Sequence, residues 1–156
     1  NVTNPEYSVE EALAADLSES LSDEINEGSL MLERVDGEVV IRFPGHVVYP
    51  SGSDTILPST LEILDRVAKA LSETNGQLVV SGHTDDVPIS TGRYRSNWDL
   101  SSARAASVVH FLLRNKLIDP GRISATGYAD SRPLVPNDSA ENRSKNRRVE
   151  ISIRAR

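Results

Sequence analysis

The chain of 156 residues contains no cysteine, which excludes a disulfide scaffold, a thiol nucleophile and any Cys-based zinc or iron–sulfur site. Aromatic residues are few: one Trp, two Phe and four Tyr. No run of 18 apolar residues is present, and no Lys/Arg-led signal segment opens the chain. The sequence therefore reads as a soluble piece, and its start at Asn1 rather than Met fits a processed or truncated product. It has no GxGxxG or Walker-type loop, no Gly-x-Ser-x-Gly nucleophile elbow, no internal repeat and no low-complexity tract. A hydrophobic content of 38% is low but lies outside the disordered range, and the length suits one domain with an appendage.

Bases are missing from one end. Residues 1–28 carry eight acids, from Glu6 to Glu27, and no Lys or Arg, so the net charge of −6 conceals a slightly basic remainder. From Arg143 to Arg156 there are six bases (Arg143, Lys145, Arg147, Arg148, Arg154, Arg156) against Glu150. The split predicts an acidic appendage over 1–28 and a domain over 29–156 with one basic end. That end suits an anionic partner but does not point to nucleic acid.

Hydrophobic spacing sets the elements. Val9, Leu13, Leu17, Leu21 and Ile25 recur every fourth residue and predict an amphipathic helix over 8–26, docked on its own domain or on a second chain. Two β-prone runs flank Asp36-Gly37 and predict a hairpin, since that pair accepts the positive φ of a type I′ turn. Pro44 to Pro58 reads as loop, and Leu57, Leu61, Leu64, Ala68 and Leu71 as a helix. A short strand follows over 77–82, then a polar loop, then a second long helix over 97–116. Strands over 122–127 and 149–154 flank an irregular polar segment from Tyr128 to Asn146. Val149, Ile151 and Ile153 alternate with Glu150, Ser152 and Arg154, so one sheet face should be packed and the other wet. The fold class is α+β: a two-layer α/β sandwich of order β-α-β-α-β-β, opened by the hairpin and preceded by a helical extension.

Arg104 is the most informative position. Leu100, Val108, Phe111 and Leu112 place it inside the apolar stripe of the second helix. A guanidinium cannot discharge there, so it needs an anion, either a protein carboxylate in a structural salt bridge or a ligand. The strand over 77–82 delivers Gly82-His83-Thr84-Asp85 at its end. Asp85 is placed either to orient Arg104 or to bind a ligand ammonium beside it. In the second case the two form a zwitterion clamp that suits an amino-acid-like ligand end. Asp85-Asp86 with His83 falls short of a metal set, and nothing supports catalysis. Arg147, in Asn146-Arg147-Arg148, leads into the last strand, where it is either a solvated base or a flank of the same pocket.

Taken together these motifs carry a resemblance. Asn97-x-x-Leu100-Ser101-x-x-Arg104-Ala105-x-x-Val108-x-x-x-Leu112 resembles the peptidoglycan-binding signature of OmpA-like domains. Gly82-His83-Thr84-Asp85 precedes it, and Gly127-Tyr128-Ala129-Asp130 and Asn146-Arg147-Arg148-Val149-Glu150-Ile151 follow in the family's order, covering roughly 38–154. Arg93 to Ser101 and the loop with Val87-Pro88-Ile89 resemble the B subunits of flagellar stators. The resemblance implies a periplasmic, non-enzymatic domain that grips the cell wall. Asp85 and Arg104 would hold the diaminopimelate of the peptide stem, and Thr84, Asn97, Leu100 and Arg147 would line the pocket. It further implies a homodimer, a stator A-type partner reached through an N-terminal transmembrane helix absent from this sequence, and no cofactor. Residues 1–28 would then be periplasmic linker, with the striped helix regulating release of the wall-binding domain. The alternatives are a wall tether of an outer-membrane protein or lipoprotein unconnected with motility, and an enzyme of wall turnover. The family's first-strand pattern is replaced here by Arg42 to Gly52, and its glycine after Gly-Tyr is Ala129, a change expected to be harmless.

Overall fold

A computed structural model describes residues 5–154, with side chains from Val9 onward. Asp36 and Gly37 adopt φ of 50° and 81°, the left-handed pair of a type I′ turn whose twist matches the flanking strands. The turn sets Val35 opposite Glu38 and so fixes the hairpin of β1 (Met31–Val35) and β2 (Glu38–Pro44). Strands β3 (Gln77–His83), β4 (Ile123–Gly127) and β5 (Arg148–Arg154) complete one sheet in the order β1-β2-β5-β3-β4. Among the described residues only β3 and β4 pair in parallel, as a strand–helix–strand crossover requires. The predicted α+β sandwich is the observed architecture.

Period-two alternation places Val39, Ile41, Phe43, Leu78, Val80, Val149, Ile151 and Ile153 on one sheet face, all essentially without exposure. Helices α4 (Pro58–Ser72) and α5 (Asn97–Leu113) add Leu64, Val67 and Leu71, and Ala105, Val108 and Leu112, to the same core. Pro58 opens α4 at its first turn, and the hydroxyl of Ser96 caps α5 by accepting from the Trp98 amide at 3.2 Å. Each of the larger aliphatic side chains contributes roughly 1.5–3 kcal/mol on burial.

Where the sequence predicts loop, Gly45–Val48 forms a single helical turn, α3, and Ala140–Asn146 a short helix, α6. The second is capped by Ser139, whose hydroxyl accepts from the Asn142 amide at 3.0 Å. Asn146 closes it, accepting from the Leu134 and Val135 amides and donating to the Val135 carbonyl.

The extension forms α1 (Pro5–Ser20) and α2 (Ser22–Asn26), broken at Leu21 rather than continuous over 8–26. Its stripe faces this domain: Leu13, Leu17 and Leu21 join the sheet's core, while Val9 is exposed. The four-residue spacing explains the difference, since each step rotates the stripe by about 40° and three steps turn Val9 away from Leu21's direction. Two acids tie the segment down. Glu10 pairs with Arg34 at 2.8 Å, and the buried Glu24 with Arg66 at 2.6 Å. The Glu6 side chain and Arg156 lie outside the described residues.

The second sheet face is not simply wet. At the end of β5 nearest the 128–146 segment, Arg148 and His83 are buried, and Glu150 accepts from Arg42 at 2.8 Å and from Arg148 at 2.9 Å. The Arg132 carbonyl accepts from Arg148 at 2.9 Å, so the returning segment covers this corner and keeps its charges out of water.

Candidate ligand-binding pocket

Gly82 and Gly127 face each other across the parallel pair β3–β4. A Cβ on either would overlap Ser101 or Ser102 of α5, so glycine lets the helix backbone rest directly on the strand ends. That approach brings Asn97, Leu100 and Arg104, one face of α5, up to Thr84 and Asp85 beyond β3. The result is an open cavity of about 480 Å³ that all six sequence-predicted residues line: Thr84, Asp85, Asn97, Leu100, Arg104 and Arg147.

Arg104 is 7% exposed, and among the described residues no carboxylate lies within ion-pair distance of it. The salt-bridge alternative is therefore not what holds it. Its Nε donates to the Ser53 carbonyl at 2.7 Å and one terminal nitrogen to the Pro50 carbonyl at 3.2 Å. The guanidinium lies 4.8 Å above the Tyr49 ring, a favourable cation–π geometry. Burial, and secondarily the nearby charge of Arg147, push its pKa below the usual arginine value.

Asp85, also 7% exposed, does not orient Arg104. One of its oxygens accepts from Arg147 at 2.5 Å and the other from the Val87 amide at 3.0 Å. Asp85 and Arg147 thus neutralise each other, and the charge of Arg104 is left over in the pocket. Asn97 donates to the Val87 carbonyl at 2.9 Å, Thr84 donates to the Asp85 carbonyl at 2.8 Å, and both shape the loop that carries Asp85. Leu100 supplies an apolar wall.

Tyr49 lies in the Arg42–Gly52 stretch that departs from the family pattern, so the resemblance assigns it no pocket contact, yet it lines the cavity. Its hydroxyl donates to the Arg104 carbonyl at 2.6 Å, and burial raises its pKa well above the ordinary tyrosine value. The signal that marks it is a lone aromatic in a Pro/Gly-rich loop. His83, beside Asp85 in sequence, points to the opposite sheet face, where it stacks on Tyr128 at 5.4 Å. Ala129 is strained rather than harmless. It takes φ 51°, a left-handed conformation that costs an L side chain roughly 1–2 kcal/mol. Two bonds hold it there: its amide donates to Ser101 at 3.0 Å, and its carbonyl accepts from the Thr84 amide at 2.8 Å.

Motility protein B of Bacillus subtilis is 31% identical over 92% of this chain and 55% of its own length. The chain likewise spans about half the length of other Motility protein B relatives, such as that of Helicobacter pylori. Among solved structures, the cell wall anchor of the T6SS from Pseudomonas aeruginosa is 38% identical, with a TM-score of 0.83 over 90% of this chain and 97% of that one. A putative MotB-like protein from Desulfovibrio vulgaris is 26% identical, with a TM-score of 0.87 over 98% and 97%. The OmpA family model matches residues 48–147, which run from the last residue of α3 through the Asp85–Arg104 pocket to Arg147, and the chain belongs to the OmpA family.

Proposed function

We propose that this chain binds peptidoglycan noncovalently, taking the diaminopimelate end of a stem peptide between Arg104 and Asp85, and that it anchors a flagellar stator to the wall. The observation that carries the reading is the buried Arg104 guanidinium, held by carbonyls and an aromatic face and with no carboxylate within ion-pair distance among the described residues. A ligand carboxylate supplies the missing anion, and the ligand ammonium takes Asp85 in exchange for Arg147. Each contact is individually weak, and strength comes from two copies engaging a repeating lattice, so the working form is a homodimer. The role is mechanical, and no catalytic step is assigned to the pocket.

The motor assignment rests on the likeness to Motility protein B and to the MotB-like structure. On that reading the complete protein is a single-pass inner-membrane subunit with this domain in the periplasm, partnered by a stator A-type channel subunit. The 38% identity to the T6SS wall anchor favours a second reading, a wall tether unconnected with motility. Restoration of swimming by the full-length gene in a stator-deficient strain separates the two.

The wall reading itself is tested by co-sedimentation with purified sacculi. Wild type should pellet, whereas folded Asp85→Ala and Arg104→Ala should stay in solution. Arg104→Lys should bind weakly, because a point charge does not reproduce the guanidinium fork. Equal pelleting of wild type and both alanine variants would place wall binding outside this pocket.

A further inference from the structure

The Ser53 carbonyl receives the Arg104 Nε at 2.7 Å, and the Pro50 carbonyl accepts from the same guanidinium at 3.2 Å. The turn from Pro50 to Ser53 is therefore the seat of the charge left over in the pocket. Little within the turn holds it: the Ser53 amide donates to the Pro50 carbonyl at 3.2 Å, and Gly52 takes φ 67°. A tie to the rest of the molecule comes from the next residue. Asp54, whose side chain is 15% exposed, accepts from Arg93 at 3.1 Å. Tyr94 is buried beside it, and burial first and the Asp54 carboxylate second push the tyrosine pKa up. Arg93 and Tyr94 belong to the segment that enters α5, where both amides donate to the Thr91 hydroxyl and Ser96 caps the helix. Asp54 thus joins the turn that receives Arg104 to the entry of the helix that carries it.

Asp54 is also an acid near enough to compete for Arg104. Burial lowers the Arg104 pKa, and Tyr49, Tyr94 and Asp54 oppose that fall, yet Asp54 pairs with Arg93 instead. Neither Asp54 nor Arg93 lines the cavity, so neither is placed to touch a ligand there. We infer that Asp54, held by Arg93, is a positioning residue: it aims the Pro50 and Ser53 carbonyls at Arg104 and so sets the guanidinium while leaving its charge open to a ligand carboxylate. The inference rests on the wall-binding reading for the identity of that ligand. Arg93 is 70% exposed, so the ion pair adds little to stability and Arg93→Ala should fold.

Two measurements on the full chain test it. In nitrogen-edited proton spectra the Arg104 Nε–H, assigned by its loss in Arg104→Lys, should exchange slowly with solvent, and both Asp54→Ala and Arg93→Ala should speed that exchange. Calorimetry then compares a stem peptide bearing the free diaminopimelate carboxylate with the same peptide amidated there. Wild type should prefer the carboxylate. Each variant should lose about three- to tenfold in affinity for it, the fold-change to which the net worth of one hydrogen bond converts, and little for the amide. The double variant should lose no more than either single one, because the two residues form one link. Equal losses for both peptides would make the effect merely structural and overturn the inference, as would an unchanged carboxylate preference in the folded variants. Unaltered exchange of the Arg104 proton would overturn it as well. Wild type binding neither peptide would sink the wall reading, and the exchange measurement would still decide the positioning role by itself.

Discussion

Tyr49 and Arg104 hold each other twice: the guanidinium rests 4.8 Å above the tyrosine ring, and the tyrosine hydroxyl donates to the Arg104 main-chain carbonyl at 2.6 Å. The ring supports the charge while the hydroxyl fixes the helical turn that bears it. Tyr49→Phe should therefore keep the charge in place but loosen its turn. We expect a stability loss of about 1 kcal/mol, the net worth of one hydrogen bond, and a few-fold weaker sedimentation with sacculi. Tyr49→Ala should cost about 3–5 kcal/mol, as for deletion of a buried aromatic ring. Urea unfolding and the pelleting assay read the two effects separately. Tyr49→Phe binding as wild type would leave the hydroxyl a purely structural role.

The Asp85–Arg147 pair sets a second expectation. Its arginine is nearly half exposed, at 45%, so the pair contributes about 1 kcal/mol or less to stability and its variants should fold. Asp85→Ala and Arg147→Ala should each weaken wall binding. The double variant should lose little more than Asp85→Ala alone, because Arg147 acts by poising the carboxylate that receives the ligand amine. A coupling of about 0.5–3 kcal/mol in a double-mutant cycle is the expected signature. Strictly additive losses would mean that the two residues meet the ligand independently.

Acid should destabilise the domain in two stages. Burial lowers the His83 pKa, an effect opposed by Glu150 and reinforced by the charges of Arg148 and Arg132. Below its unfolded pKa of about 6.5 the unfolded chain binds the proton that the folded chain refuses, so stability falls as pH drops from neutrality. Burial raises the pKa of Glu150, but the nearby His83 imidazole, 3.6 Å away, and the bonds from Arg148 and Arg42 outweigh that and hold it well below the carboxylate range. Its contribution is complete above the unfolded value of 4.5 and is lost as pH falls further. Urea midpoints between about pH 8 and 3 should descend accordingly. His83→Phe, which can keep the stack on Tyr128, should flatten the first stage alone. An unchanged slope between about pH 7 and 5 in that variant would remove His83 as its source.

What was legible in the sequence was what periodicity and local turn chemistry control. Asp36-Gly37 specified its hairpin because both residues tolerate positive φ. The place of Arg104 within an apolar stripe announced an arginine in need of an anion before any pocket was visible. What stayed hidden depends on partners distant in sequence. Ala140–Asn146 has no apolar face and is held by the side chain of Asn146 reaching Leu134 and Val135. Asp85 meets Arg147 across 62 positions, and Arg104 is fastened by carbonyls of residues more than 50 positions away. Carbonyls carry no residue signature, so that half of the site could not be read. The covering of the Glu150 corner does not follow from strand alternation, which says which face a side chain takes and not what lies over that face.

Residues 1–28, set apart by charge as an appendage, send part of their stripe into the core. Leu17 is buried with Leu13 and Leu21 against the sheet, whereas Val9 is exposed on the same stripe. Leu17→Ala should lower stability by about 2–5 kcal/mol, the range for emptying a core leucine site, and should shift one cooperative unfolding transition as a whole. Val9→Ala, at an exposed position, should change it by no more than about 0.5 kcal/mol. If instead the segment behaves as a separable linker, Leu17→Ala will melt only the helical signal of α1 and leave the transition of the sheet in place. Circular dichroism, followed in parallel with a near-ultraviolet probe of the domain, distinguishes the two. The first outcome also bounds any regulatory role for this helix. Releasing it from the domain would expose Leu13, Leu17 and Leu21 and break the Glu24–Arg66 pair, so whatever triggers release must bind the freed surface or pull on it hard enough to offset that loss.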